Sequence, residues 1–188
     1  MIFHRLDIPG ACIVDLERRE DERGFFARGW CWREFADQGF GAEPVQMNIS
    51  FNRHRHTLRG FHYQVAPHQE DKLIRCVRGA VHDVMVDLRP DSPTYLRHVS
   101  VELSGVNQRA LLVPKGCANA FLTLEDATEV TYLVSEFYAP AYERGLRWDD
   151  PALGITWPAQ PAVISQKDQA WPDFRPERVL AASSADRE

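Results

Sequence analysis

Between residues 72 and 138 the apolar side chains recur with a period near two instead of 3.6, and this alternation constrains the fold more than any other feature of the chain. The apolar runs at 73–77, 81–88, 98–103, 110–113, 120–124 and 129–137 are short and often β-branched. Turn chemistry separates them: Arg78-Gly79, the proline-bearing stretch 89–93, the stretch 104–107, and Pro114-Lys-Gly116. Six short strands at this spacing predict an all-β sandwich or barrel. The best helical signal is 30–38, where Phe35 stands three residues from Trp32 and Gly39 is placed as a stop. Beyond Trp157, the prolines Pro158, Pro161, Pro172 and Pro176 predict an irregular tail that packs over the strands before fraying.

A chain of 188 residues with 44% apolar and 26% charged side chains has the make-up of a soluble globular protein. It leaves no room for a second domain. The expectation is therefore one domain over 1–188, with its core in about 20–170 and an irregular tail at 171–188. A formal charge of −5 lacks the basic excess that phosphate backbones demand, which excludes nucleic acid as a partner. No apolar run reaches membrane-spanning length and charge appears within the first five residues, so neither a membrane span nor a secretory leader is expected and the chain reads as cytoplasmic. The four cysteines are scattered without a C-x-x-C pair, as free thiols in a reduced compartment would be. Only three of the 22 basic residues are lysines, namely Lys72, Lys115 and Lys167.

The segment Leu58-Arg-Gly-Phe-His-Tyr-Gln64 places Arg59 and His62 on opposite faces of a strand unless Gly60 bends or bulges it. Lys72 follows His62 by ten residues, and a hairpin of that length would bring imidazole and ammonium to one barrel mouth. A surface histidine and a solvated lysine would show the same spacing. A neutral imidazole near its ordinary pKa is the usual protein base, and a carboxylate partner would orient it. Spacing does not choose among Asp83, Asp87, Asp149, Asp150 and Asp168 for that partner. Tyr132 shares a strand face with Val130 and Val134 and so points inward, either as a reactive phenol or as a packed core residue. His54 and His56 have a metal-ligand spacing, but they sit in a polar loop without a third ligand. No metal or other cofactor is expected.

Several motifs occur in one order: Leu58-Arg-Gly-Phe-His-Tyr-Gln64, Lys72-Leu-Ile-Arg-Cys-Val-Arg-Gly79, Asp83-Val-Met-Val-Asp-Leu-Arg89, Ser92-Pro-Thr94, Pro114-x-Gly116, Tyr138-Ala-Pro140 and Glu143-Arg-Gly-Leu-Arg-Trp-Asp-Asp-Pro151. From about Arg23 to Asp168 the chain strongly resembles the dTDP-4-dehydrorhamnose 3,5-epimerase family. The resemblance implies a cupin-type jelly-roll β-barrel, with the short N-terminal helix and irregular tail added to it, working as a metal-free homodimer. It also implies the chemistry: the keto group of a nucleotide diphosphate 4-keto-6-deoxy sugar acidifies the C3 and C5 hydrogens, a base removes one, and the enolate is reprotonated on the opposite face. The place of such an enzyme is deoxysugar biosynthesis, for a surface polysaccharide or a glycosylated metabolite.

Carried over position by position, the resemblance implies that His62 is the base, Asp168 its orienting carboxylate, Lys72 the cation beside the C4 oxygen and Tyr132 the opposing acid. Arg23, Gln46, Asn48, Arg59, Lys167 and Glu143 fall at diphosphate- or sugar-contact positions, although Glu143 before Arg144-Gly145 also reads as a solvated turn. The chain departs from the family where Arg28 replaces an acid near the expected nucleotide and Asn119 replaces a histidine at a substrate contact. Met47 and His82 are further departures. These changes raise the alternatives of a mono-epimerase or ketoisomerase on a sugar nucleotide other than a dTDP one, or a barrel that binds sugar nucleotides without turnover.

Overall fold

A computed structural model describes residues 1–38 and 43–175. All six strands expected from the alternation are present, as β7 (Lys72–Arg78), β8 (Ala80–Asp87), β9 (His98–Ser104), β10 (Ala110–Val113), β11 (Cys117–Thr123) and β12 (Thr128–Val134). Added to them are β1 (Ile2–Arg5), β2 (Cys12–Asp15), β5 (Gln46–Asn52), β6 (Thr57–Gln64) and β13 (Glu143–Gly145), together with a small hairpin of β3 (Arg19–Asp21) and β4 (Gly24–Phe26). The first sheet runs β1-β2-β10-β7-β12-β5 and the second β13-β6-β11-β8-β9. Among the described residues no ladder joins the two sheets, so the predicted barrel is a double-sheet jelly roll with open edges.

Consecutive strands cross between the layers: β6 belongs to the second sheet, β7 to the first, β8 and β9 to the second, β10 to the first. Period-two alternation gives every strand one inward face. Ile74 and Cys76 of β7, Leu111 of β10 and Val130 of β12 meet Val81 and Met85 of β8, Leu103 of β9 and Phe121 of β11 in one buried core. A second cluster lies on the outer face of the second sheet, where Phe61, Val84, Val86 and Ala118 are covered by Leu146, Leu153 and Trp157 from the chain's later part.

The helix α1 is Trp32–Asp37, shorter than expected at both ends, and at its start Cys31 supplies no side-chain cap; the Gly39 stop lies outside the described residues. The proline-rich tail is more ordered than predicted. Residues between the prolines form β14 (Val163–Ile164), which pairs parallel with β6, and the turn of helix α2 (Gln166–Gln169), which Ser165 caps by accepting from the Asp168 N–H. Prolines lack an N–H but do not bar pairing by the residues between them. No α-helix among the described residues is long and apolar enough to cross a membrane.

Candidate active site

A cavity of about 670 Å³ opens between the two sheets. β6 and β11 supply one wall, with His62, Gln64 and Asn119; β5, β7 and β12 supply the other, with Gln46, Asn48, Lys72 and Tyr132.

The wall carrying His62 depends on a bulge. Asn119 pairs with His62 while Phe121 pairs with Arg59, so two residues of β6, Gly60 and Phe61, oppose the single Ala120 of β11. Gly60 has φ +114°, and a Cβ there would lie 2.6 Å from the Asn119 carbonyl oxygen. The extra residue turns both Arg59 and His62 toward the cavity, as the sequence required. Arg59 is steadied by donating from Nε to Asn52 Oδ1 at 2.7 Å.

Of the five candidate carboxylates, Asp168 meets the histidine, with Oδ1 2.6 Å from His62 Nε2. Its side chain is only 5% exposed, against 33% for the imidazole, so the acid is sequestered while the ring faces the cavity. Burial works to raise the Asp168 pKa, but the hydrogen bond and charge of His62, with the Gly60 N–H and the Ser165 hydroxyl, hold it below the ordinary carboxylate range. Asp168 has this place because β14 lies along β6 and carries α2 to the back of the bulge.

Lys72 begins β7. β6 and β7 lie in different sheets, so the predicted hairpin is instead a crossing between layers, and it still brings the ammonium beside His62. Nζ donates to the His62 carbonyl at 3.1 Å and to Asn119 Oδ1 at 3.2 Å. It also stands 3.2 Å from Glu70 Oε1. Asp83 lies on the inward face of β8, fully buried, and neither carboxyl oxygen has a hydrogen-bond partner. Burial pushes its pKa well above the usual value, against the opposing charge of Lys72 and the Asn119 amide.

Tyr132 faces inward from β12, between Asn48 of β5 and Ile74 of β7. Burial, followed by the charge of Glu70, raises its pKa and keeps the phenol protonated. His62 and Tyr132 thus approach one space from opposite walls. At the cavity rim, Glu143 Oε2 accepts from Lys167 Nζ at 2.6 Å and from the Tyr138 hydroxyl at 2.7 Å. Burial raises the Glu143 pKa, but these two bonds outweigh it and the net shift is downward. Glu143 is therefore a fixed anion of the cavity lining and not a free turn residue.

Three expected contacts lie outside the cavity lining, and of these Lys167, its side chain 52% exposed, reaches it only through Glu143 at the rim. Arg23, on the β3–β4 hairpin, pairs with Asp21 at 2.6 Å with its side chain 84% exposed. Arg28 pairs with Glu34 of α1 at 2.9 Å, beside the N-terminal ammonium, which Glu34 also holds. Neither lines the cavity of its own chain. Sequence reasoning missed Gln64, Glu70 and Tyr138. Gln64 was accessible as the residue two beyond His62 on the same strand face, whereas Glu70 sits in the irregular link before β7 and carries no periodic signal. Among the described residues no three His, Cys, Asp or Glu side chains gather to hold a metal ion, and His54 and His56 lie in the turn between β5 and β6.

A family model described as dTDP-4-dehydrorhamnose 3,5-epimerase matches residues 5–176. The protein of that name from Sinorhizobium fredii is 41% identical over 179 residues, covering 93% of this chain and 90% of its own length. The crystal structure of dTDP-4-dehydrorhamnose 3,5-epimerase from Bacillus anthracis with TDP and PPi bound superposes with a TM-score of 0.89 at 36% identity, covering 92% of this chain and 99% of that one. ChmJ, a 3′-monoepimerase from Streptomyces bikiniensis solved with dTDP-quinovose, gives 0.83 at 34% identity, with coverages of 97% and 90%.

Proposed function

The chain belongs to the dTDP-4-dehydrorhamnose 3,5-epimerase family and is an epimerase of deoxysugar biosynthesis, and we propose that it inverts C3 and C5 of a dTDP-linked 4-keto-6-deoxy sugar with His62 as base and Tyr132 as acid. What supports this above all is that His62, backed by Asp168 at 2.6 Å, and Tyr132 line one cavity from opposite sheets. Inversion needs that opposition, since a lone base can only return a proton to the face it came from.

In the proposed cycle the neutral imidazole takes the proton from the carbon beside the ketone, and the C–H electron pair moves into an enolate. Asp168 favours the imidazolium that results and fixes the ring's tautomer. Negative charge collects on the C4 oxygen, where the Lys72 ammonium lies in water-poor surroundings and is most effective. The Tyr132 phenol then gives its proton to the other face of the same carbon, and solvent exchange restores phenol and imidazole. Gln46, Asn48, Arg59, Asn119, Glu143 and Lys167 position sugar and diphosphate around these groups.

The enzyme is proposed to act as a homodimer of single-domain subunits in the cytoplasm. β5 is a sheet edge whose outer face exposes Met47 (61%) and Ile49 (67%), and the β3–β4 hairpin exposes Phe26 (72%) close to Arg23 and Arg28. A second subunit on that surface would bury it and bring the hairpin's exposed Arg23 to an anionic ligand. Sedimentation of the native chain should give a dimer, and Ile49→Asp a monomer.

Arg28 spends its charge on Glu34 within its own chain. That removes the main argument for a nucleotide other than a dTDP one, and the named relatives favour the dTDP-linked substrate. Incubation of dTDP-4-keto-6-deoxyglucose in D2O tests the assignment. Deuterium at both C3 and C5, with inversion at both, is expected; label at C3 alone would make this a mono-epimerase, and no label with any 4-keto sugar nucleotide would leave a binding protein.

A further inference from the structure

Glu70 lies in the link between β6 and β7 and lines the cavity with its side chain only 12% exposed. A carboxylate in so enclosed a place must be compensated. Oε2 accepts from Gln64 Nε2 at 3.2 Å, and Oε1 stands 3.2 Å from Lys72 Nζ. The ammonium has three hydrogens, and two of them go to the His62 carbonyl and Asn119 Oδ1. Glu70 balances the charge of Lys72 without an aligned hydrogen bond to it, so the ammonium keeps one hydrogen, and the carboxylate one set of lone pairs, for a ligand.

A donor and an anionic acceptor held side by side are complementary to one arrangement above others: an acceptor next to a donor. A ketone flanked by a carbon bearing a hydroxyl is that arrangement. Its carbonyl oxygen accepts while the neighbouring O–H donates, and the two oxygens lie next to each other. Resting on the reading that Lys72 meets the C4 oxygen, we propose that Glu70 selects the substrate by accepting a hydrogen bond from the C3 hydroxyl beside the ketone, making the Lys72–Glu70 couple a recognition element for α-hydroxyketones. The same contact holds the C3–C4 unit level with His62, since the Lys72 ammonium is itself tied to the His62 carbonyl. A site built to bond a hydroxyl rejects the analogue lacking it more strongly than an apolar pocket rejects a change of size.

The test compares dTDP-4-keto-6-deoxyglucose with its 3-deoxy analogue, reading deuterium uptake at C5, a step open to both. The native enzyme should prefer the hydroxylated substrate in kcat/KM. Glu70→Ala should lower that preference about 10- to 100-fold, the range of a hydrogen bond to a charged group. Glu70→Gln keeps an acceptor oxygen and the side chain's volume, so it should lower the preference less, and it carries the test if the alanine variant does not fold. A native enzyme blind to the hydroxyl, or an unchanged ratio in Glu70→Gln together with any folded Glu70→Ala, overturns the proposal. Lys72→Met separates it from its premise: if C5 exchange continues at the native rate in that variant, Lys72 does not serve the ketone and the premise is lost, whereas a failure confined to the Glu70 ratios removes Glu70 alone.

Discussion

His62 and Asp168 are separated by 106 positions in the chain and by 2.6 Å in the fold. Their approach is made by β14, a two-residue parallel strand that docks on β6 and delivers α2 behind the bulge at Gly60. Imidazole and carboxylate therefore report on the same local architecture, and their variants should fail in graded ways.

His62→Ala removes the proposed base outright and should lower turnover by about 10²–10⁴-fold. Asp168→Asn leaves an imidazole without its orienting charge and should lose less. Because the folded-state pKa of Asp168 is depressed, its contribution to stability is present above the unfolded carboxylate pKa and disappears as pH falls through the folded value. Thermal melts on the acid side should show wild type losing more stability than Asp168→Asn over that window.

Tyr132→Phe should uncouple exchange from inversion. His62 can still remove a hydrogen and return solvent deuterium on its own face, so label should enter the substrate while its configuration persists. Mass spectrometry for label and NMR for configuration, taken from the same reaction, decide it. Loss of both together in a folded variant would place Tyr132 before the enolate.

Asp83 titrates in the opposite sense. Its folded pKa is raised, so folding favours the protonated form; the stability this provides is complete below the unfolded value of about 4 and declines as pH rises toward the folded value. Asparagine has nearly the same shape and no charge to lose. The melting temperature of Asp83→Asn relative to wild type should climb from pH 4 upward, and a flat difference would mean that Asp83 is ionised and paired in solution.

Gly60→Ala should destabilise the protein and misdirect the base. The positive φ alone costs a side chain about 1–3 kcal/mol. The added Cβ would also meet the Asn119 carbonyl and the Ala120 Cα, neither of which belongs to a flexible side chain. A lowered melting temperature should accompany a fall in C5 exchange greater than the folded fraction accounts for.

Strand content was legible because alternation records burial directly, and all six runs between residues 72 and 138 became strands. Which layer each strand joins left no trace in the pattern, since every inward face looks alike, and so the link from His62 to Lys72 reads as a hairpin when it is a crossing. The bulge was legible from Gly60, which sits where two functional side chains would otherwise oppose each other. The partner of His62 was not, because nothing in the spacing ties a carboxylate to a strand 106 residues earlier; only the family resemblance pointed to Asp168. Glu70 escaped because irregular segments carry no period, and the order hidden in the tail escaped because its prolines dominate the local signal.

The crossing of consecutive strands between layers has a kinetic consequence. His62, Lys72, Asn119 and Tyr132 stand on four strands that alternate between sheets, and Asp168 arrives last in the chain. No hairpin pairs the base with its carboxylate or with the opposing acid, so the site can exist only after long-range closure, a slow step in β-rich topologies. On refolding from denaturant, recovery of C5 exchange should trail the appearance of β-sheet signal, with the docking of β14 on β6 as the event that switches the enzyme on.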